Sequence, residues 1–70
     1  MERKPVNSSN IATVGYDKEN QTLEIEFLSG GVYQYPNVSK DVHEQLINAE
    51  SVGSFFHANI KNNFDFKKVV

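Results

Sequence analysis

Apolar and polar side chains alternate strictly between Thr22 and Leu28, and this alternation constrains the fold more than any other feature of the sequence. The apolar positions are Leu23, Ile25 and Phe27, and the residues between them are Thr22, Glu24 and Glu26. A period of two places these two sets on opposite faces of an extended chain. The segment therefore predicts a β-strand with one face in the core and one face toward water.

Two neighbouring segments have the composition of partner strands. Ile11 to Tyr16 is rich in β-branched and aromatic residues and leads into the polar turn 17–20, so we predict a strand over about 11–17. After Leu28, two glycines permit a tight reversal, and Val32-Tyr33-Gln34-Tyr35 follows as a third strand that ends at Pro36. Consecutive strands joined by short turns predict a three-stranded antiparallel meander.

The loop between the second and third strands decides which face carries Tyr33 and Tyr35, because a one-residue shift in register moves every side chain to the other face. A two-residue loop would place the tyrosines on the face of the glutamates. A three-residue loop with a glycine bulge, Ser29-Gly30-Gly31, would place Phe27 opposite Tyr33 and Ile25 opposite Tyr35. We favour the three-residue loop.

A capping serine and a spaced apolar stripe predict a helix over about 40–49. Ser39 suits the N-cap, since its hydroxyl accepts a hydrogen bond from an otherwise unpaired backbone N–H. Val42, Leu46 and Ala49 recur at spacings of four and three, and Ile47 widens the stripe. One face of this helix should therefore pack on the sheet.

The remaining segments complete the predicted fold. Ser51 or Ser54 should cap a second helix that ends near Asn62-Asn63, and the tail 64–70 either adds an edge strand or drapes over the core. Residues 1–10 are polar and turn-prone, and we interpret them as a lead-in without regular structure. The predicted class is α+β, with a three-stranded antiparallel meander packed against one or two short helices.

Composition limits the kind of protein this chain forms. Seventy residues predict a single domain, 1–70, with an ordered part over about 6–69. Cysteine is absent, which excludes disulfides, thiolate metal sites and a cysteine nucleophile. Without a signal-peptide pattern or a membrane-spanning apolar run, we expect a cytoplasmic protein with no membrane role. A formal charge of −2 argues against nucleic-acid binding over the whole surface and leaves room for a local basic patch.

Three motifs occur in an order that is typical of one family. The pair Ser8-Ser9 precedes the first strand, Gly-Gly-Val-Tyr-Gln-Tyr lies at the centre, and Gly-Ser-Phe-Phe-His-Ala-Asn-Ile-Lys follows. This set resembles the KTSC domain from about Val6 to Val69, with Tyr33-Gln34-Tyr35 as its most specific element. Other matching positions are Val38, Ala49, Gly53, Phe56 and Ile60. The resemblance implies a small bacterial protein related to the C-terminus of some lysyl-tRNA synthetases, for which RNA binding has been suggested.

Two tyrosines and a set of basic residues are the candidate nucleic-acid-binding residues. Tyr33 and Tyr35 either stack on bases as a platform or pack in the core, and the core role is the more common for such residues. Five of the seven basic residues lie toward the chain ends: Arg3, Lys4, Lys61, Lys67 and Lys68. If the termini meet in space, these residues form one positive edge that could attract a phosphate backbone. The alternative is that they are simply solvent-exposed charges at the chain ends.

Patterns for catalysis or metal binding are weak. His43 and His57 do not have the spacing of a metal pair, and we interpret each as a partly exposed helix residue. Glu24 and Glu26 are better explained as solvated strand charges than as paired catalytic carboxylates. Ser8 and Ser9 have no nucleophile elbow around them. We therefore expect neither an enzyme nor a bound cofactor.

Two functions remain as hypotheses. In the first, the chain is an RNA-binding module in which Tyr33, Tyr35 or an exposed Phe64 or Phe66 stacks on bases of RNA or tRNA while basic residues hold phosphates. In the second, it is a protein-interaction or self-association domain. That domain would use a free edge of the first or third predicted strand, or an apolar groove beside Phe55 and Phe56. Salt separates the two, because phosphate-driven binding weakens steeply as salt rises.

Overall fold

The computed structural model describes residues 2–70 of the chain, which form an antiparallel sheet with two helices packed on one face. In chain order the elements are β1 (Arg3–Pro5), β2 (Ile11–Asp17), β3 (Thr22–Phe27), β4 (Val32–Tyr35), α1 (Lys40–Ile47), α2 (Val52–Asn59) and β5 (Lys67–Lys68). The sheet order β1-β2-β3-β4-β5 follows the chain, and every neighbouring pair is antiparallel. The α+β class and the meander are confirmed.

The sheet has five strands where the sequence predicted three. Within the segment that we interpreted as a lead-in, β1 pairs with β2 through Arg3 opposite Gly15 and Pro5 opposite Thr13, so that interpretation is wrong. All three β1 residues are exposed and give no periodic apolar signal. Pro5 is acceptable there because an edge strand needs donors on one side only. The tail forms β5, the edge strand that was one of its two predicted alternatives.

Between the paired residues Phe27 and Gly31, a three-residue loop, 28–30, joins β3 to β4 one residue earlier in the chain than predicted. The Phe27 N–H donates to the Gly31 carbonyl and the Gly30 N–H donates to the Phe27 carbonyl, both at 2.9 Å. Gly30 has a φ of 106°, which only glycine adopts without strain. The register places Ile25 opposite Tyr33, whereas the predicted loop placed Ile25 opposite Tyr35, so the observed pairing differs by two residues. Both tyrosines nevertheless lie on the apolar face, as the favoured loop predicted.

Both helices begin at serine caps. The Ser39 hydroxyl accepts from the Val42 N–H at 3.3 Å, and the Ser51 hydroxyl accepts from the Ser54 N–H at 3.2 Å. The first helix ends two residues before the predicted position, and the second ends at Asn59, before the predicted Asn-Asn stop. Neither helix is long and apolar enough to cross a membrane within the part of the chain that the structure describes.

The core lies between the helices and the apolar face of the sheet. Its buried side chains are Ile11, Val14, Leu23, Ile25, Tyr35, Val38, Leu46, Val52, Phe56 and Ile60. A register irregularity between Ile11 and Thr13 lets both Ile11 and Val14 enter this core, since the extra residue of a bulge resets the alternation. The opposite face of the sheet is mostly polar, with Val32 buried on it, and no helix within residues 2–70 covers it.

Candidate nucleic-acid interface

Five aromatic rings form a closed circuit at one end of the molecule, and we call them the aromatic cluster. Its members are Phe27, Tyr33, Phe66, Tyr35 and Phe56. Around the circuit the centroid distances are 5.5, 5.5, 5.9, 5.5 and 5.6 Å. Three of these contacts are edge-to-face, a geometry that favours the positive ring edge against the negative ring face. The rings are therefore held in fixed relative orientations.

Separate elements bring these rings together. Phe27 ends β3, the two tyrosines occupy alternate positions of β4, Phe56 projects from α2, and Phe66 precedes β5. Exposure rises across the cluster, from 1% for Phe56 and 3% for Tyr35 to 58% for Phe66. Phe56 and Tyr35 thus belong to the hydrophobic core, whereas Phe66 and the half-buried Tyr33 offer ring surface to a ligand.

The aromatic cluster lines a pocket of about 370 Å³, which we call the base pocket. That volume lies within the range of small-molecule sites, roughly 300–1,000 Å³. Four polar residues complete the lining: Ser29, His57, Lys61 and Asn62. Lys61 contributes a formal positive charge, and no carboxylate among residues 2–70 lines the pocket. The pocket therefore combines ring surfaces with positive charge.

Tyr35 lines the base pocket and carries a hydroxyl group. Burial of the side chain raises the pKa of Tyr35, and the neighbouring Tyr33 raises it further, so the phenol stays protonated and able to donate. Across residues 2–70 the Tyr35 hydroxyl has no side-chain or backbone partner, and no side-chain polar atom is both fully buried and unpaired. The hydroxyl oxygen is therefore not fully enclosed.

The structure divides the predicted basic residues between two faces and two edges of the sheet. Lys61 lines the base pocket, and Lys68 lies opposite Tyr33 in the β4–β5 ladder, so it shares the face of the tyrosines. Lys67 lies opposite Gln34 and projects from the other face.

Arg3 and Lys4 lie on β1, at the opposite edge, with three strands between them and β5. The Arg3 guanidinium pairs with the Glu24 carboxylate at 3.4 Å. The condition for a single positive edge, that the termini meet, is therefore not fulfilled, because β1 and β5 are the two outer strands of an open sheet. Lys61 and Lys68 are the two predicted basic residues that accompany the tyrosines.

The sequence did not identify Phe27, His57 or Asn62 as site residues. The alternation of β3 places Phe27 on the face of Tyr33, and that signal was available. No local pattern indicates that the turn after α2 brings Asn62 back toward the sheet. The exposed Phe66, which was one of two alternatives for stacking, lies in the pocket, whereas Phe64 packs against the core.

The edges proposed for protein binding are already occupied. The predicted first strand, β2, is paired on its outer side by β1, and the predicted third strand, β4, is paired by β5. The free edges belong instead to these two short strands, which carry Pro5, one arginine and three lysines. Proline and lysine at an edge discourage the addition of another strand. This part of the protein-interaction hypothesis is wrong as first stated.

Other polar groups have structural partners. Glu24 accepts from the Gln34 amide at 2.8 Å in addition to pairing with Arg3, and Glu26 accepts from the Thr13 hydroxyl at 3.0 Å. These carboxylates thus belong to a cross-strand polar network and are not merely solvated. His43 is half-buried on α1, and His57 is exposed on α2. Residues 2–70 contain no group of three His, Cys, Asp or Glu side chains that could hold a metal ion.

Comparison with known proteins places the whole chain in one family. The model of the KTSC domain matches residues 7–64. The chain belongs to the KTSC domain family. A KTSC domain protein from Yersinia pestis superposes with a TM-score of 0.95 at 42% sequence identity, and the match covers 99% of this chain and 97% of that chain.

Two kinds of relative share this KTSC sequence. An uncharacterised protein from Stutzerimonas stutzeri is 42% identical over 57 residues, which cover 81% of this chain and 80% of that protein. A lysine–tRNA ligase from Nostoc punctiforme is 44% identical over 61 residues, which cover 87% of this chain and 11% of the ligase. The KTSC sequence is therefore nearly the whole of one relative and a small part of the other.

Most of the KTSC motif positions have a structural role here. Tyr35, Val38, Phe56 and Ile60 are each at most 3% exposed. The Val38 carbonyl also accepts from the Tyr16 hydroxyl at 2.6 Å. Gly53 lets α2 approach the N-terminal loop, because a Cβ there would lie 3.1 Å from the Ser8 hydroxyl oxygen. Tyr33 is half-buried, packs against this core and also lines the base pocket.

Proposed function

We propose that this KTSC protein is a small non-enzymatic module that binds RNA by taking an unpaired base into the base pocket. The observation that carries the proposal is the aromatic cluster, in which Phe66 and Tyr33 offer partly exposed rings beside Lys61. Aromatic side chains stack on bases whatever the base identity, because every base has a π-face. Lys61 and Lys68 would hold the phosphates on either side of the bound nucleotide.

The charge of the lining favours a nucleotide over a cationic ligand. Aromatic cages also bind quaternary ammonium groups through cation–π attraction. Such a ligand would be repelled by Lys61, and no carboxylate lining the base pocket, within residues 2–70, would offset that repulsion. A base carrying a phosphate meets ring faces and a positive charge together. The Tyr35 hydroxyl and the Asn62 amide supply hydrogen bonds for its polar edge.

The relatives also support the proposal of RNA binding. The KTSC sequence forms 11% of a ligase that acts on lysine and tRNA, as its name states. A module that binds an unpaired base would suit a protein that handles tRNA, since sequence-specific RNA recognition targets unstacked bases in loops and ends. The small relatives would carry the same pocket on a separate chain.

Fluorescence polarisation with labelled single-stranded RNA tests this proposal. Phe66→Ala removes the most exposed ring of the aromatic cluster, and we expect binding to weaken by about 1–3 kcal/mol, the range measured for base–aromatic stacking. Ile47→Ala is the matched control, because Ile47 is likewise partly exposed, at 44%, but lies on α1 away from the pocket. Equal affinity of Phe66→Ala and the control, with both proteins folded, would contradict the proposal.

A protein partner is the second candidate, and one observation favours it. Leu28 and Phe66 are 60% and 58% exposed, and both lie at the end of the molecule that carries the base pocket. Exposed apolar side chains that cluster at one end are typical of interaction surfaces. Light scattering at rising protein concentration tests self-association, which salt should not weaken if apolar contacts drive it.

A further inference from the structure

A second pocket opens directly beside the base pocket, and the two share part of their walls. This neighbouring pocket has a volume of about 490 Å³, and its lining residues are Ser9, Asn10, Phe27, Leu28, Ser29 and His57. Phe27, Ser29 and His57 also line the base pocket. The two pockets therefore form one groove that runs from Phe66, past the β3–β4 hairpin, to the loop before β2.

The chemistry of the second pocket differs from that of the first. Leu28, 60% exposed, provides an apolar surface without a stacking ring. Asn10 is exposed, and its side chain makes no hydrogen bond within residues 2–70. An asparagine amide offers a donor and an acceptor, which match the complementary groups on the edge of a base. His57, exposed at the junction of the pockets, adds a ring that can face a sugar or phosphate.

The backbone holds Asn10 in place. Its carbonyl accepts from the Leu28 N–H at 2.9 Å, and its own N–H donates to the Ser8 hydroxyl at 3.2 Å. These bonds tie the loop before β2 to the tip of the β3–β4 hairpin. A recognition group on a fixed backbone costs less entropy to order on binding than one on a free loop.

We propose that the groove takes two successive unpaired nucleotides, with one base in the aromatic cluster and the next against Leu28, hydrogen-bonded to the Asn10 amide. This inference rests on the proposed function and specifies its substrate class as single-stranded RNA. A duplex does not fit, because its bases are stacked and paired and cannot enter two adjoining pockets. The aromatic cluster accepts any base, whereas the Asn10 subsite discriminates between bases by their edges.

A backbone NMR titration can follow ligand binding at the two subsites separately. The amides of Tyr33 and Lys61 report on the base pocket, and those of Asn10 and Leu28 report on the second pocket. The ligands are the mononucleotides AMP and UMP, the hexanucleotides A6 and U6, and a blunt-ended RNA duplex. We expect the mononucleotides to shift only the first pair of amides, at least one hexanucleotide to shift both pairs, and the duplex to shift neither.

A variant pair isolates the second subsite. Asn10→Ala removes the amide while keeping the backbone bonds, and we expect it to weaken binding of the preferred hexanucleotide roughly 3- to 10-fold and to leave mononucleotide binding unchanged. Asn7→Ala is the control, an exposed asparagine that lines neither pocket. Its affinities should equal those of the wild type.

The outcomes separate this inference from the proposed function. Hexanucleotide shifts confined to Tyr33 and Lys61, with Asn10→Ala binding as tightly as Asn7→Ala, would overturn the two-nucleotide groove and leave the base pocket standing. Duplex shifts at Tyr33 as large as those of the hexanucleotides would overturn the single-stranded preference. The absence of any shift with every RNA ligand would overturn the proposed function and this inference together.

Discussion

At the scale of single residues, Tyr16 and His43 form a stacked pair whose stability depends on protonation. Their centroids are 4.5 Å apart and their planes differ by 8°. Burial lowers the pKa of His43, and the nearby Glu44 charge opposes this shift without reversing it. Because the folded pKa lies below the unfolded value of about 6.5, the stabilisation is complete above that pH and is lost as the pH falls through the folded pKa.

We therefore expect the melting temperature to decrease as the pH is lowered from 7 to 5. His43→Phe keeps the stacked ring without a charge, so this variant should show a smaller decrease. Tyr16 and His43 line a further pocket, beside α1, and the other charged residues that line it are Glu2, Lys4, Lys18, Lys40 and Glu44. Because His43→Phe leaves these five groups in place, a change in the pH profile of this variant is due to the histidine. Thermal circular dichroism at three pH values measures the effect. The exposed His57→Phe is the control, and a His43→Phe profile parallel to the wild type would contradict the argument.

At the scale of elements, α2 meets the N-terminal loop through Gly53 and Ser8. The Ser8 hydroxyl accepts from the Asn10 and Ile11 N–H groups, each at 3.2 Å, and a Cβ at Gly53 would lie 3.1 Å from its oxygen. Alanine normally stabilises a helix by ~1 kcal/mol relative to glycine, and Gly53→Ala should therefore show much less than this gain in stability. In a Ser8→Ala background the crowded oxygen is absent, and the gain should return.

Denaturant unfolding of the four proteins in this double-mutant cycle measures the coupling between the two sites. We expect Gly53→Ala to be more favourable in the Ser8→Ala background by about 0.5–1 kcal/mol, which lies within the range for residues in contact. Equal effects of Gly53→Ala in the two backgrounds would show that Ser8 moves aside at no cost. The helix would then tolerate alanine for reasons of propensity alone.

The elements also show what the sequence can predict. Strict alternation predicted β3, and the capping serines predicted where α1 begins and offered two starts for α2, because both signals are local. The edge strands β1 and β5 span three and two residues, all exposed, and so short a run shows no periodicity. Tyr33 and Tyr35 were predicted as site candidates from their shared face. The pocket itself depends on Phe56 and Phe66, which other elements bring to that face.

At the scale of the whole molecule, the sheet separates positive charge that the sequence clusters at the chain ends. The formal charge is −2, so under the proposed function a local pair, Lys61 and Lys68, and not the surface as a whole, would attract the RNA. Each phosphate contact on a single strand contributes about −0.7 to the slope of log affinity against log salt concentration. Two contacts predict a slope of about −1.4 for the wild type.

Adjacent lysines on opposite faces of β5 provide a matched comparison. Lys68 lies opposite Tyr33 on the pocket side, and Lys67 lies opposite Gln34 on the polar side. Lys68→Gln should reduce the salt slope to about −0.7, and Lys67→Gln should leave it near −1.4, although both changes remove the same charge. Polarisation titrations of single-stranded RNA at several salt concentrations measure the slopes. If the two variants had the same slope, overall charge would govern binding, and the pocket face would have no special part in holding phosphate.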